Sequence, residues 1–199
     1  MNKKIKKILN KKNKSKIICL TAYSKNIAAI LDKHCDLILV GDSLGSVLYD
    51  FKSTKEVSLD TMINHSKSVR FGVKRSLMVV DMPYNTYRNN KEALRNAKLV
   101  MKKTKCDAVK LEGGKKIISI VRTLIKNKIP VMEHLGILTQ TEKKFFFKGK
   151  KIFEINKLLK DSKLLEKAGI FSIVLECVAT KLAKKITEQL KIPTRGIGS

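Results

Sequence analysis

Five short apolar runs in this chain each end in an acid, a lysine or a histidine, and that recurrence constrains the fold more than any other feature. They are LILVGDSLG at 37–45, LMVVDMP at 77–83, AVKLEGG at 108–114, PVMEHLG at 130–136 and IVLECV at 173–178. A run of aliphatic residues without polar alternation is how a parallel strand buried on both faces reads. A polar group directly after it is how such a strand delivers chemistry to its C-terminal end. The expectation is one site assembled from several strand ends.

The segments between the runs carry helical periodicity. Strands are expected at 16–21, 37–42, 77–81, 108–112, 129–134, 170–176 and 192–197. Helices are expected at 24–34, 58–70, 89–105, 155–168 and 180–190, with one more after Gly114 that turns Ile117, Ile118, Val121, Leu124 and Ile125 inward. Asn89 and Glu92 have the spacing of a capping box. Residues 45–54 read as a loop. Strict alternation of strand and helix implies parallel strands with right-handed crossovers. An open doubly wound sheet and a (β/α)8 barrel both satisfy it. Polar residues at the ends of five strands favour the barrel, where such groups converge on a common mouth; an open sheet gathers its ligand at one switch point. The fold class expected is therefore α/β, a (β/α)8 TIM barrel that stops after its seventh strand, in one domain over 1–199. Such a barrel leaves an apolar edge uncovered. The basic head, 1–16, is read as an outer helix. The aromatic cluster Phe145–Phe147 is read as docking on the fold or on a neighbouring subunit.

Charge narrows the classes of function. The formal net charge is +26, yet only six of 43 basic residues are Arg. Phosphate and base recognition favour the planar fork of Arg, and here the lysines are spread over every helix and loop. A solvated, compositionally basic surface is expected, with no specific nucleic acid as partner. Cys19, Cys35, Cys106 and Cys177 form no CxxC pair, so neither a zinc site nor a redox motif is expected. No export signal or 18-residue apolar stretch is present, which points to the cytoplasm and to no membrane partner. No Walker or G-x-G-x-x-G pattern supports nucleotide chemistry.

The strand-end residues suggest a definite chemistry. Asp42, Asp81 and Glu112 occupy equivalent places after three successive strands. Three converging carboxylates repel one another, and a divalent ion relieves the conflict; oxygen donors suit Mg2+ better than Zn2+. The plainer alternative, that each acid caps a helix or pairs with a lysine, stays open. Lys110 lies two residues before Glu112, so both side chains leave one face of the strand. A lysine facing a packed interior needs an anion or developing negative charge to meet it. His134 ends its strand and can donate to a substrate oxygen, Glu176 is placed as a general base, and Ser43 offers a hydroxyl and an N–H to an anion. Together they suit enolisation of a 2-oxo acid, with metal and lysine holding the enolate.

The phrases TAYS (21–24), LILVGDSLG, VVDMPY (79–84), VKLEGG (109–114), HLG (134–136), LECV (175–178) and IPTRGIG (192–198) resemble, in order, those of the ketopantoate hydroxymethyltransferase family. The resemblance runs from about residue 15 to the last residue. It implies a (β/α)8 barrel that forms a homodecamer, uses Mg2+ and takes 5,10-methylenetetrahydrofolate as co-substrate. The implied reaction moves a one-carbon unit to 3-methyl-2-oxobutanoate, giving 2-dehydropantoate on the route to pantothenate and coenzyme A. By the same resemblance, Asp42, Asp81 and Glu112 match the metal site, and Ser43, Asp42, Asp81, Lys110 and His134 match substrate contacts. Glu176 matches the base, with Lys110 beside it in catalysis. Glu133 stands where the family pattern has a glycine, and KKFFFKGKK (143–151) replaces its glycine-rich loop. The family pattern also continues beyond GIG, where this chain reads GIGS. Two other readings compete: another Mg2+-dependent 2-oxo-acid or carbon–carbon lyase on a related barrel, and a catalytically impaired basic scaffold or nucleic-acid binder.

Overall fold

A computed structural model describes residues 2–142 and 146–198. Seven strands, β1 (Cys19–Thr21), β2 (Leu37–Val40), β3 (Leu77–Asp81), β4 (Ala108–Glu112), β5 (Val131–Gly136), β6 (Ser172–Glu176) and β7 (Thr194–Ile197), form one sheet in sequence order. Every neighbouring pair is parallel. The sheet curls into a nearly closed barrel whose β1 and β7 flanks are unpaired among the described residues. The barrel and its alternation are those expected from the apolar runs.

The helices are α1 (Lys3–Asn10), α2 (Lys25–Leu31), α3 (Leu44–Tyr49), α4 (Leu59–Gly72), α5 (Asn90–Thr104), α6 (Ile118–Lys126), α7 (Ile152–Ala168) and α8 (Thr180–Gln189). Outward residues of the strands, such as Ile38, Val80, Val109, Leu111, Ile173 and Leu175, pack under them in the larger core. Ser58 caps α4 through the Thr61 N–H, as Asn89 caps α5 through the Glu92 N–H. The capping box is only half formed, because the Glu92 carboxylate turns back to the N–H and guanidinium of Arg88.

Two expectations about local structure are corrected. Helix α1 is not an outer helix: Ile5 and Ile8 are buried and join Leu37, Leu39, Leu77, Val79, Ala108, Met132, Phe171 and Val174 in a second core. Except for Phe171, which directly precedes β6, those are the inward residues of the strands, so α1 plugs the N-terminal end of the barrel. Its apolar stripe is short, but it has a matching floor to bury against, which a solvent-facing position would not give. Residues 45–54 are not simply a loop, since α3 takes the first half, and only 50–53 are irregular before a 3-10 turn opens at Thr54. Gly45 permits the close approach there, as a Cβ would stand 2.6 Å from a Val57 methyl carbon.

A candidate active site at the C-terminal strand ends

Period-two alternation puts Asp81, Lys110, Glu112, His134 and Glu176 on the inward face, beyond the apolar floor. The registers Asp81↔Lys110 and Glu112↔His134 set them side by side on adjacent strands. Asp42 and Ser43 follow β2 in the turn that opens α3. All seven residues line one cavity of about 310 Å³. The expectation of a shared strand-end site thus has a common location for every residue it named.

Contacts inside the cavity are dense. Lys110 Nζ lies 3.0 Å from Asp81 Oδ2 and 3.6 Å from Glu112 Oε1. The Asp42 N–H donates to Asp81 Oδ2 at 3.2 Å, and the Tyr23 and Ser43 hydroxyls are 2.7 Å apart. His134 stands between two acids, with Nδ1 3.2 Å from Glu112 Oε1 and Nε2 3.5 Å from Glu176 Oε2. Neither ring nitrogen is aligned well enough for a hydrogen bond, although both are buried.

Burial and neighbours pull the acids apart electrostatically. Burial pushes the Asp42 carboxyl up to about 7, and the nearby Asp81 charge adds to the effect. Burial also acts to raise Glu112, but the Lys110 ammonium and the His134 contact overcome it and hold Glu112 at about 2. For Lys110, burial favours the neutral amine; Asp81, Glu112 and Asp42 outweigh it and keep the ammonium above the usual lysine range. A proton-holding carboxyl beside firmly ionised groups is how buried charge is divided at sites that transfer protons.

The donor chemistry fits a hard divalent cation. Asp42, Asp81 and Glu112 offer only oxygens, and Asp81 Oδ1 is buried without any hydrogen-bond partner. Asp42 is held from ionising by burial and by Asp81, a conflict that an added cation relieves. Among the described residues no three His, Cys, Asp or Glu side chains are already drawn together as a metal cage, and the Lys110 ammonium lies between Asp81 and Glu112 in their place.

Some residues of the site were not singled out from the sequence. Gln140 Nε2 donates to Asp42 Oδ2 at 2.8 Å and to the Met82 carbonyl at 2.9 Å. Its backbone N–H donates to Glu112 Oε2 at 3.3 Å, and the Tyr87 hydroxyl donates to its side-chain oxygen. Through its side chain and its backbone, one residue thereby ties together the ends of β2, β3 and β4. Thr139 donates to Glu112 Oε1, and Thr21 and Arg195 complete the wall. No repeated pattern marks these residues; the usable signal was a position three to six residues after a strand end for Thr139, Gln140 and Tyr87, the last place of β1 for Thr21, and the lone charged residue of β7 for Arg195. Two backbone features aim Glu176. Gly136 takes φ of 106° where a Cβ would meet the Glu176 carbonyl oxygen at 2.0 Å. Cys177 takes a left-handed φ of 50° directly after it. Phe146 and Phe147 are 65% and 54% exposed, so they do not dock on this fold as one expectation had it, and Phe145 lies outside the described residues.

Comparison with known proteins decides the family. Residues 2–199 match the model of the family described as ketopantoate hydroxymethyltransferase. The chain belongs to that family. A 3-methyl-2-oxobutanoate hydroxymethyltransferase of Pelagibacter ubique is 71% identical over 199 residues, covering 100% of this chain and 77% of the relative. The enzyme of the same description from Chelativorans sp. is 46% identical over 195 residues, covering 96% of this chain and 69% of its own. Among solved structures, phosphonopyruvate hydrolase with oxalate and Mg++ superposes with a TM-score of 0.69 at 9% identity, over 97% of this chain and 80% of that one. A 2,3-dimethylmalate lyase of the PEP mutase/isocitrate lyase superfamily gives 0.66 at 13%, over 98% and 72%. At such identities the likeness speaks for the barrel alone. Family membership makes the chain an enzyme, a transferase of pantothenate synthesis. No helix among the described residues is long and apolar enough to cross a membrane.

Proposed function

We propose that the chain catalyses the Mg2+-dependent transfer of a one-carbon unit from 5,10-methylenetetrahydrofolate to 3-methyl-2-oxobutanoate. One water is consumed, and 2-dehydropantoate and tetrahydrofolate are released. The observation that carries the reading is the meeting of Asp42, Asp81, Lys110, Glu112, His134 and Glu176 in one cavity. Asp42, Asp81 and Glu112 would hold the Mg2+, which when bound supplies charge to the carbonyl of the oxo acid and favours its enolate.

The chain's own residues do the rest. Glu176 has a 22% exposed side chain at the cavity, so it can meet substrate and take the proton from C3. His134 Nε2, 3.5 Å from its Oε2, is placed to meet that carboxylate once the two groups align and can then share the proton. The Lys110 ammonium, kept charged by three acids, faces the negative charge that develops on the oxo oxygen. Ser43, tied to Tyr23, presents its hydroxyl to the oxo acid. Gln140 steadies Asp42 and Glu112 together. The new carbon–carbon bond then forms between C3 and the transferred carbon. The same reading makes the enzyme a cytoplasmic homodecamer in one domain.

Proton exchange tests this directly. With Mg2+ in deuterium oxide, the protein should exchange the C3 proton of 3-methyl-2-oxobutanoate, read by NMR, and should form 2-dehydropantoate when the folate is added. Absence of both sinks the reading; exchange without product limits the fault to folate use. Asp81→Asn should weaken Mg2+ binding in a calorimetric titration, and unchanged affinity would remove Asp81 from the metal site.

A further inference from the structure

Arg195 is a cation that pairs with no acid among the described residues. It lies on β7 opposite Val174, which lies opposite His134, itself opposite Glu112. Val174 belongs to the inner core, so Arg195 projects inward from the same row as the site's histidine and acid. It lines the strand-end cavity. Its Nη1 is buried without a hydrogen-bond partner, and its side-chain contact is the Cys19 thiol. Among the described residues it forms no ion pair.

The charge balance of the cavity gives this meaning. Four carboxylates, Asp42, Asp81, Glu112 and Glu176, line it with two permanent cations, Lys110 and Arg195. Lys110 is already engaged by Asp81 and Glu112. Beyond the Mg2+ and Lys110 that the proposed function gives to the oxo group, an acid substrate entering such a wall gains from an uncommitted positive charge, and Arg195 holds the one available among the described residues. A guanidinium also matches a carboxylate in shape, with two parallel N–H donors. At about 310 Å³ the cavity admits a small acid and not a bulky polyanion. Strand β7 adjoins β6, and Glu176 pairs with Ile197, two residues beyond Arg195. An acid gripped by Arg195 is therefore presented beside Glu176.

We propose that Arg195 binds the carboxylate of the small oxo acid and selects an anionic over an uncharged substrate. This rests on the function proposed above. The test is calorimetric titration of the full chain with 3-methyl-2-oxobutanoate and with its uncharged methyl ester, in EDTA and in excess Mg2+. Wild type should prefer the acid. Arg195→Met should bind the acid at least tenfold more weakly and lose the preference, Arg195→Lys should fall between, and in turnover KM for the oxo acid should rise more than kcat falls. Equal acid affinity in wild type and Arg195→Met overturns the proposal. If far-UV circular dichroism shows Arg195→Met unfolded, Arg195→Gln takes its place under the same criterion. Wild type that binds the acid through Arg195 but fails to exchange its C3 proton with Mg2+ overturns the function and keeps this role. Wild type that binds no oxo acid in either condition overturns both.

Discussion

At the N-terminal end of the barrel, Leu37, Leu77, Ala108 and Met132 meet Ile5 and Ile8 of α1 in an apolar plug. Two to four residues further along three of the same strands, Asp81, Lys110, Glu112 and His134 face the same axis and line an open cavity. Both ends are buried and both are built from inward residues of one sheet, so burial by itself does not distinguish them. What differs is how each end satisfies its side chains. The plug needs only shape and apolar area. The cavity holds orphaned groups, Asp81 Oδ1 and both His134 nitrogens among them, whose cost is tolerated where a ligand will answer it. One strand thus carries stability at its start and chemistry at its end, and changes at the two ends should separate cleanly.

The largest effect is expected at the polar end. Glu176→Gln keeps the volume and removes the base, so C3-proton exchange should fall by about 10²–10⁴. Thermal stability should barely move, because Glu176 is the most exposed of the cavity acids whose ion pairs are described. Exchange that persists in Glu176→Gln would assign the base elsewhere, while a large loss of stability would break the separation of the two ends.

The converse change is at the plug. Ile8 is 2% exposed, and Ile8→Ala removes three carbons from a site lined by rigid strands. A loss of about 2–5 kcal/mol is expected in denaturant unfolding, with turnover per folded molecule unchanged. A fall in turnover at full folding would show that the plug sets the geometry of the distant cavity.

How much of this contrast the sequence disclosed follows from its physical basis. The strands and their terminal residues were legible because an aliphatic run closed by a polar residue, repeated five times, is what buried parallel strands feeding one site produce. Asp42, Asp81, Lys110, Glu112, His134 and Glu176 came with it. The plug was not legible, since an eight-residue amphipathic helix suits an outer face as well as a floor, and only the assembled barrel offers Ile5 and Ile8 a partner. Helix α3 spans six residues, too few for a period to declare itself. Gln140 acts through contacts at the ends of β2, β3 and β4 that are 28 to 98 residues away in sequence, and Arg195 was marked only as the one charged residue of β7.

A smaller, pH-dependent effect sharpens the polar side. The Asp42 carboxyl sits at about 7 in the fold against roughly 3.9 in an unfolded chain. Between those values the folded state binds the extra proton, so this group's contribution to stability is present below about pH 4 and is lost as pH rises toward 7. Unlike wild type, Asp42→Asn cannot show that contribution. The stability difference between them should change across pH 4–7 by up to about 1.4 kcal/mol per unit, and Mg2+ should reduce it by favouring the ionised acid. A pH-independent difference would mean that Asp42 is ionised throughout.

The least effect is expected where the basic surface meets the plug. Lys4 Nζ donates to the Ser76 carbonyl at 2.8 Å and lies 3.5 Å from Asp107 Oδ2, so it fastens α1 to the barrel rim. Its side chain is 27% exposed, and water competes for both contacts. Lys4→Ala should therefore cost less than about 1 kcal/mol, and added salt should narrow the gap from wild type. Lys110 is the only lysine or arginine among the described residues that is buried, and its ammonium contacts two acids in the cavity. The comparison of Lys4→Ala with Lys110→Met then measures what the excess of lysine does. If Lys4→Ala costs as much as Ile8→Ala, the plug is held by charge and not by apolar burial. If it costs little while Lys110→Met abolishes proton exchange, the surface lysines are solvated and the cavity alone puts a lysine to chemical use.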